Sequence, residues 1–121
     1  MRNLLVISLI VTLLVSAAAA GERKHSKRWY QERWCAKYLA PSEGQISDIY
    51  DCISEHYVIE FDYADLWYES IGESLHYAIQ TGKRAGIVLI MENERDLKYW
   101  IKLNDTIDHY HLPIKAWRVS E

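Results

Sequence analysis

The sequence predicts one small α/β domain built on a mixed sheet, in the order α-β-β-β-α-β-α-β, and three observations predict it. Gly86 to Met91 is an unbroken apolar run, GIVLIM, which suits a strand covered on both faces. Trp67, Ile71, Leu75 and Ala78-Ile79 recur at helical spacing before it. Leu97, Trp100-Ile101, Leu103 and Ile107 do the same after it. Helices alternating with strands around one buried strand define the α/β class.

The chain begins with an export pattern. Arg2 is followed by an apolar stretch from Leu4 to Val15 and by small residues from Ser16 to Ala20. Ala18-Ala19-Ala20 fits a cleavage site, so residues 1–20 read as a signal peptide cut before Gly21, with the product in the periplasm or outside the cell. The apolar stretch is shorter than the roughly 20 residues that span a bilayer. Cleavage leaves 121 − 20 = 101 residues, enough for one domain, and removing Arg2 leaves 14 − 1 = 13 basic residues against 17 acidic ones. Fourteen Trp and Tyr in a half-apolar chain exclude a disordered protein.

Residues 21–27 are polar and basic and read as a flexible lead-in, with Arg23-Lys24-His25-Ser26-Lys27-Arg28 a solvated tail ahead of a domain over 28–121. Lys27 to Leu39 then has Tyr30, Trp34 and Tyr38 every four residues, a helix with a core-facing aromatic stripe. Pro41 and Gly44 break it. Gln45 to Tyr50 suggests a short first strand. Asp51 to Ser54 and Tyr57 to Asp62 suggest two more, joined tightly around Glu55-His56. Asp65, or Ala64 before it, marks the cap of the next helix, and Gly82 its left-handed end. Pro113 stops the last helix, and Ile114 to Val119 closes the chain as a strand. Cys35 and Cys52 are an even pair in an exported chain, so a disulfide is expected, stabilising by about 3 kcal/mol in the chain-entropy account.

The chemistry concentrates in YDCISEHYVIEFDYADLWYESIGESLHY, residues 50–77. Glu60 and Asp62 share one face of a strand because side chains alternate, and Asp51 opens its hairpin neighbour. Three hard oxygen donors at one end of a sheet suit Mg²⁺ or Mn²⁺. The bland alternative is a half-exposed hairpin whose acids face solvent. His56, His76, His109 and His111 have no tight metal spacing, and His109-x-His111 reads as an exposed helix end. Trp67 and Tyr77 read as helix-face core residues.

These motifs resemble the restriction-endonuclease-like superfamily of PD-(D/E)xK nucleases, its RecB-type and resolvase-like members, and small bacterial and phage relatives. The relatives read like EFDFAxKWxEAIGQxLxYxxQTGKxAGIVLI, against EFDYADLWYESIGESLHYAIQTGKRAGIVLI here, followed by LPIKAW. The resemblance implies a nuclease-like core that hydrolyses phosphodiester bonds of DNA with Mg²⁺ or Mn²⁺. By it, Asp51 and Glu60 hold the ion, and Asp62 or Glu32 orients water. Glu32 matches a helical Glu, and Tyr77 matches the Tyr of a Gln-x-x-x-Tyr motif in which Glu73 stands for Gln. Asp62 stands where the family's Lys would be, and Leu66 stands where the small relatives carry a Lys before Trp.

Charge adds a competing expectation. From Tyr38 to Gly82 there is no Lys or Arg against nine Asp and Glu. Such a stretch repels a polyanion, and its missing cation would have to fold back from Lys37, Lys83, Arg84 or a terminal basic residue. The second expectation is therefore a catalytically silent binding or immunity-type module that offers its acidic face, Glu69 and Glu73 included, to a basic protein partner.

Overall fold

The computed structural model describes residues 22–39 and 51–121. They form a single small α/β domain with three helices and a mixed four-stranded sheet. In chain order these are α1 (Lys27–Tyr38), β1 (Cys52–Ile53), β2 (Tyr57–Tyr63), α2 (Trp67–Thr81), β3 (Arg84–Ile90), α3 (Leu97–Tyr110) and β4 (Ile114–Val119). The strand expected over Gln45 to Tyr50 lies outside the described residues. Strand order follows chain order. β1 runs antiparallel to β2, and β2, β3 and β4 are parallel.

Parallel neighbours need crossovers, and α2 and α3 supply them on the same face of the sheet. The alternation of β2 sorts its side chains between two layers. Ile59 and Phe61 point to α1 and pack with Tyr30, Trp34, Val88 and Ile90. Ala85, Ile87 and Leu89 of β3 point the other way, to Leu103 and Ile107 of α3 and to Ile71 and Leu75 of α2. β3 is buried at every residue from Ala85 to Ile90, so its continuous apolar run is that of a strand covered twice. Ser70 and Ser74, both fully buried, let α2 approach the sheet, their hydroxyls donating to the helix carbonyls of Trp67 and Ile71.

Two glycines serve the backbone. Gly82 ends α2 at φ 67° and donates its N–H to Ala78 O at 2.9 Å, which fulfils the left-handed cap expected of it. Gly86 in β3 leaves room for Trp117, since a Cβ there would lie 2.9 Å from Trp117 Cζ3 and 3.2 Å from Ile59 Cγ1. The disulfide forms as expected, Cys35 of α1 to Cys52 of β1.

Several expectations need correction. Tyr38, Ile79 and Ile101 were placed in apolar stripes but stand 59%, 80% and 51% exposed. Each sits at the outer margin of its helix, where the arc facing the sheet has already been filled. Asp65 does not cap α2. It lies in a 3-10 turn, Ala64–Leu66, and its carboxylate receives both guanidinium nitrogens of Arg23 at 2.7 and 3.1 Å. The basic run before α1 is accordingly not a solvated tail. Buried Glu92 accepts the N–H of Lys24 (2.9 Å) and of His25 (3.2 Å) on Oε2, together with the Tyr30 hydroxyl (2.8 Å). Arg23 also lies 3.9 Å over the Tyr63 ring, and Ser26 caps α1 by accepting from Trp29 N. Among the described residues, no helix is long and apolar enough to cross a membrane.

Candidate active site

β1 pairs with only two residues of β2, Val58 and Ile59. The next edge amide, Phe61 N–H, is taken by a side chain instead: Asp51 Oδ2 accepts it at 2.8 Å. Asp51 is thereby fixed beside Glu60 at the point where the hairpin ends. On the other flank, α2 carries Glu69, Glu73 and Tyr77 at intervals of four, one row along a helix surface. This row faces the even residues of β2. Glu60 shares a hydrogen bond with Glu73, the charge of Glu69 acts on Asp62, and those of Glu60 and Glu73 act on Tyr77.

One oxygen from each of Glu60, Asp62 and Glu73 falls within 4.8 Å of the others. Glu60 and Asp62 are buried, at 3% and 7% exposure, while Glu73 is exposed. Burial, above all, pushes the Glu60 carboxyl well above the usual carboxylate range, helped by the bond with Glu73 and by the charge of Asp51. Burial likewise lifts Asp62 to about 7, opposed by Lys27 and reinforced by Glu73, Asp51 and Glu69. Asp62 Oδ2 is buried and has no hydrogen-bond partner among the described residues. A buried oxygen left unpaired costs on the order of 1–3 kcal/mol.

A cation does reach this cluster. Lys27, the first residue of α1, places its ammonium 3.1 Å from Asp51 Oδ2 and 3.7 Å from Glu60 Oε1. Burial works against its charge, but Asp51 and Glu60 outweigh that and hold the ammonium above its ordinary pKa. Sequence reasoning named a terminal basic residue among the sources of the missing charge without identifying Lys27. No spacing signal could have found it, because α1 meets β2 only through tertiary packing. Just ahead of it, the contacts of Arg23, Lys24 and His25 fix where the helix starts.

The other expected participants separate clearly. Asp51, Glu60, Asp62, Glu73 and Tyr77 come together. Glu32 does not: it is exposed on the outer side of α1 and pairs with Arg28 at 2.9 Å. Leu66, the position of a Lys in the small relatives, is half-buried in the turn before α2. His56, His76, His109 and His111 are all exposed, and His109 and His111 stand at the end of α3 as expected.

The donor set fits a hard divalent ion. It comprises oxygens only, one of them unsatisfied, with negative charge in excess of the single Lys27. No family model, no curated protein and no solved structure matches this chain.

Proposed function

We propose that the chain is an exported, metal-dependent phosphodiesterase acting on DNA, with a restriction-endonuclease-like core and its site at Glu60, Asp62 and Glu73. The observation that carries this reading is Asp62 Oδ2, a buried oxygen with no hydrogen-bond partner among the described residues, on a carboxylate that joins a cluster of oxygen donors. An oxygen kept in that state is stabilised once a cation or an activated water meets it.

In this reading Glu60, Asp62 and Glu73 hold Mg²⁺ or Mn²⁺, with Asp51 adjoining through Lys27. The ion would supply positive charge against the phosphate and a water acidic enough to release its proton near neutral pH. Glu60 must give up its own proton to ligate, so affinity for the ion rises with pH. Asp62 orients the water. Lys27 takes the part of the Lys replaced by Asp62 and Leu66, placing a cation beside the phosphate being attacked. Tyr77, on which the charges of Glu60 and Glu73 act, would line the site beside them.

The test uses the oxidised protein, residues 21–121, with Mn²⁺ and with supercoiled and single-stranded DNA. Cleavage that is lost in Glu60→Gln and Asp62→Asn, and reduced at least a hundredfold in Lys27→Ala, supports the reading. Mn²⁺ binding without cleavage, with cutting restored by Leu66→Lys, would mean a silenced nuclease. Absence of both ion binding and cleavage would sink the site. The exposed acids Glu69 and Glu73 would then point to the second reading, a silent module for a basic protein partner.

A further inference from the structure

We infer that the Cys35–Cys52 bridge positions Asp51 in the carboxylate site, and that forming the bridge thereby raises the affinity of the site for a divalent ion. The inference rests on the ion site proposed above and adds a redox condition to it. Asp51 owes little of its place to the sheet. β1 contains only Cys52 and Ile53, paired with Ile59 and Val58, and a hairpin so short is marginal by itself. After Ile53 the chain is tied down, Ser54 N–H donating to Tyr57 O at 2.8 Å and Tyr57 N–H to Ser54 Oγ at 2.9 Å. Before it, Asp51 is held by the Phe61 N–H and the Lys27 ammonium. The covalent tie belongs to its neighbour, Cys52, whose sulfur is bonded to Cys35 of α1.

Lys27 stands at the start of that same helix, and its own place does not need the bridge. Arg23 pairs with Asp65, Glu92 accepts the N–H groups of Lys24 and His25, and Ser26 caps the helix. Loss of the bridge therefore frees Asp51 and leaves Lys27 where it is. The direction of the effect follows from the distances. The ammonium is shared, 3.1 Å from Asp51 Oδ2 and 3.7 Å from Glu60 Oε1. Asp51 draws it away from Glu60 and adds a negative charge that acts on both Glu60 and Asp62. Once Asp51 departs, the ammonium turns wholly to Glu60, a proposed ligand, and the cluster has one carboxylate fewer. Both changes weaken the hold on a cation.

The bridge forms by thiol–disulfide exchange. Each cysteine gives up one proton and one electron, and the two electrons pass to an external disulfide, which is reduced to its thiols. A chain exported as proposed would be made with free thiols and acquire the bridge in an oxidising compartment. Its ion site is then completed only there, away from the place of synthesis. Cys35 and Cys52 are both buried, which shields the finished bridge from further exchange.

The test titrates Mn²⁺ into the oxidised protein, residues 21–121, and reads the free ion by its EPR signal. Beside it stand the double variant Cys35→Ala with Cys52→Ala, the single variant Asp51→Asn, and all three changes together. Removing the bridge should weaken Mn²⁺ binding about tenfold, and so should Asp51→Asn, as for partners that adjoin metal ligands. The triple variant should be no weaker than either, because both changes remove the same carboxylate from the site. Effects that multiply to about a hundredfold, or no effect of removing the bridge, overturn the inference. A second readout needs no ion. A carbodiimide takes up the water lost when an amine and a carboxylate in contact form an amide, and mass spectrometry finds the link. The link between Lys27 and Asp51 should be lost without the bridge, while that between Lys24 and Glu121, 3.8 Å apart, is kept. Retention of the first link overturns the inference. So does loss of both, which would make the bridge a staple of the whole fold. A wild type that binds no Mn²⁺ overturns the ion site and this dependence with it, and the cross-links then show separately whether the bridge places Asp51.

Discussion

The two faces of β2 are made from alternate residues of one strand, yet they behave oppositely. Toward α1 the strand offers Ile59 and Phe61, fully enclosed by aromatic and aliphatic side chains and backed by the Cys35–Cys52 bridge. Toward α2 it offers Glu60 and Asp62, also buried, one hydrogen-bonded to Glu73 and the other with an oxygen that has no hydrogen-bond partner among the described residues. The first face provides stability. The second draws on it, since burying carboxylates costs several kcal/mol unless they are paired or protonated. A small domain that keeps such a face beside a good core uses the stability of the one to hold buried carboxylates on the other.

The comparison breaks most severely at Phe61. Phe61→Ala should destabilise the fold by about 3–5 kcal/mol, read as a lower urea midpoint, whereas Asp62→Asn in the same strand should leave the midpoint unchanged or raise it. A loss of comparable size in Asp62→Asn would mean that the acid is structural. Next comes Gly86→Val, which drives a branched side chain into Trp117 and Ile59. It should cost about 1–3 kcal/mol and shift the tryptophan emission.

The carboxylate face is then separated by pH. Asp62 binds its proton more tightly folded, at about 7, than unfolded, near 3.8. Between those values the folded state holds more protons, so stability falls as pH rises through that window and is greatest below it. Glu60 acts in the same direction. Urea midpoints across pH 4–8 should therefore slope downward in metal-free buffer and flatten in Asp62→Asn. An unchanged slope would deny Asp62 its raised affinity for the proton. The smallest effect belongs to Glu32→Ala, whose exposed pair with Arg28 is worth at most about 0.5 kcal/mol. A larger loss, or any loss of cleavage, would return Glu32 to the site.

The fold was legible where pattern and packing agree. GIVLIM, Gly82 and the spacing of Leu103 and Ile107 each express a local rule that the tertiary structure keeps. Tyr38, Ile79 and Ile101 were misread because spacing locates a helix face but not its width. The site was legible in part. Glu60 and Asp62 follow from strand alternation, and Glu73 and Tyr77 from resemblance. Lys27 could not be read, because its distance to Asp51 and Glu60 is set by how α1 docks. Glu32 misled for the same reason. It lies five residues on from Lys27, about 140° around the helix, so only one of the two can face the acids.

The lead-in and α1 also have a consequence in time. β2, β3 and β4 are joined in sequence by one helix each, so that part of the chain closes through short loops. The N-terminal contacts span far greater separations, 62 residues from Tyr30 to Glu92 and 96 from His25 to Glu121. Loop closure over such lengths comes late. The sheet with α2 and α3 should therefore assemble before Lys24, His25 and Tyr30 close on Glu92 and Glu121, and this amino-terminal clasp is the last part of the molecule to form.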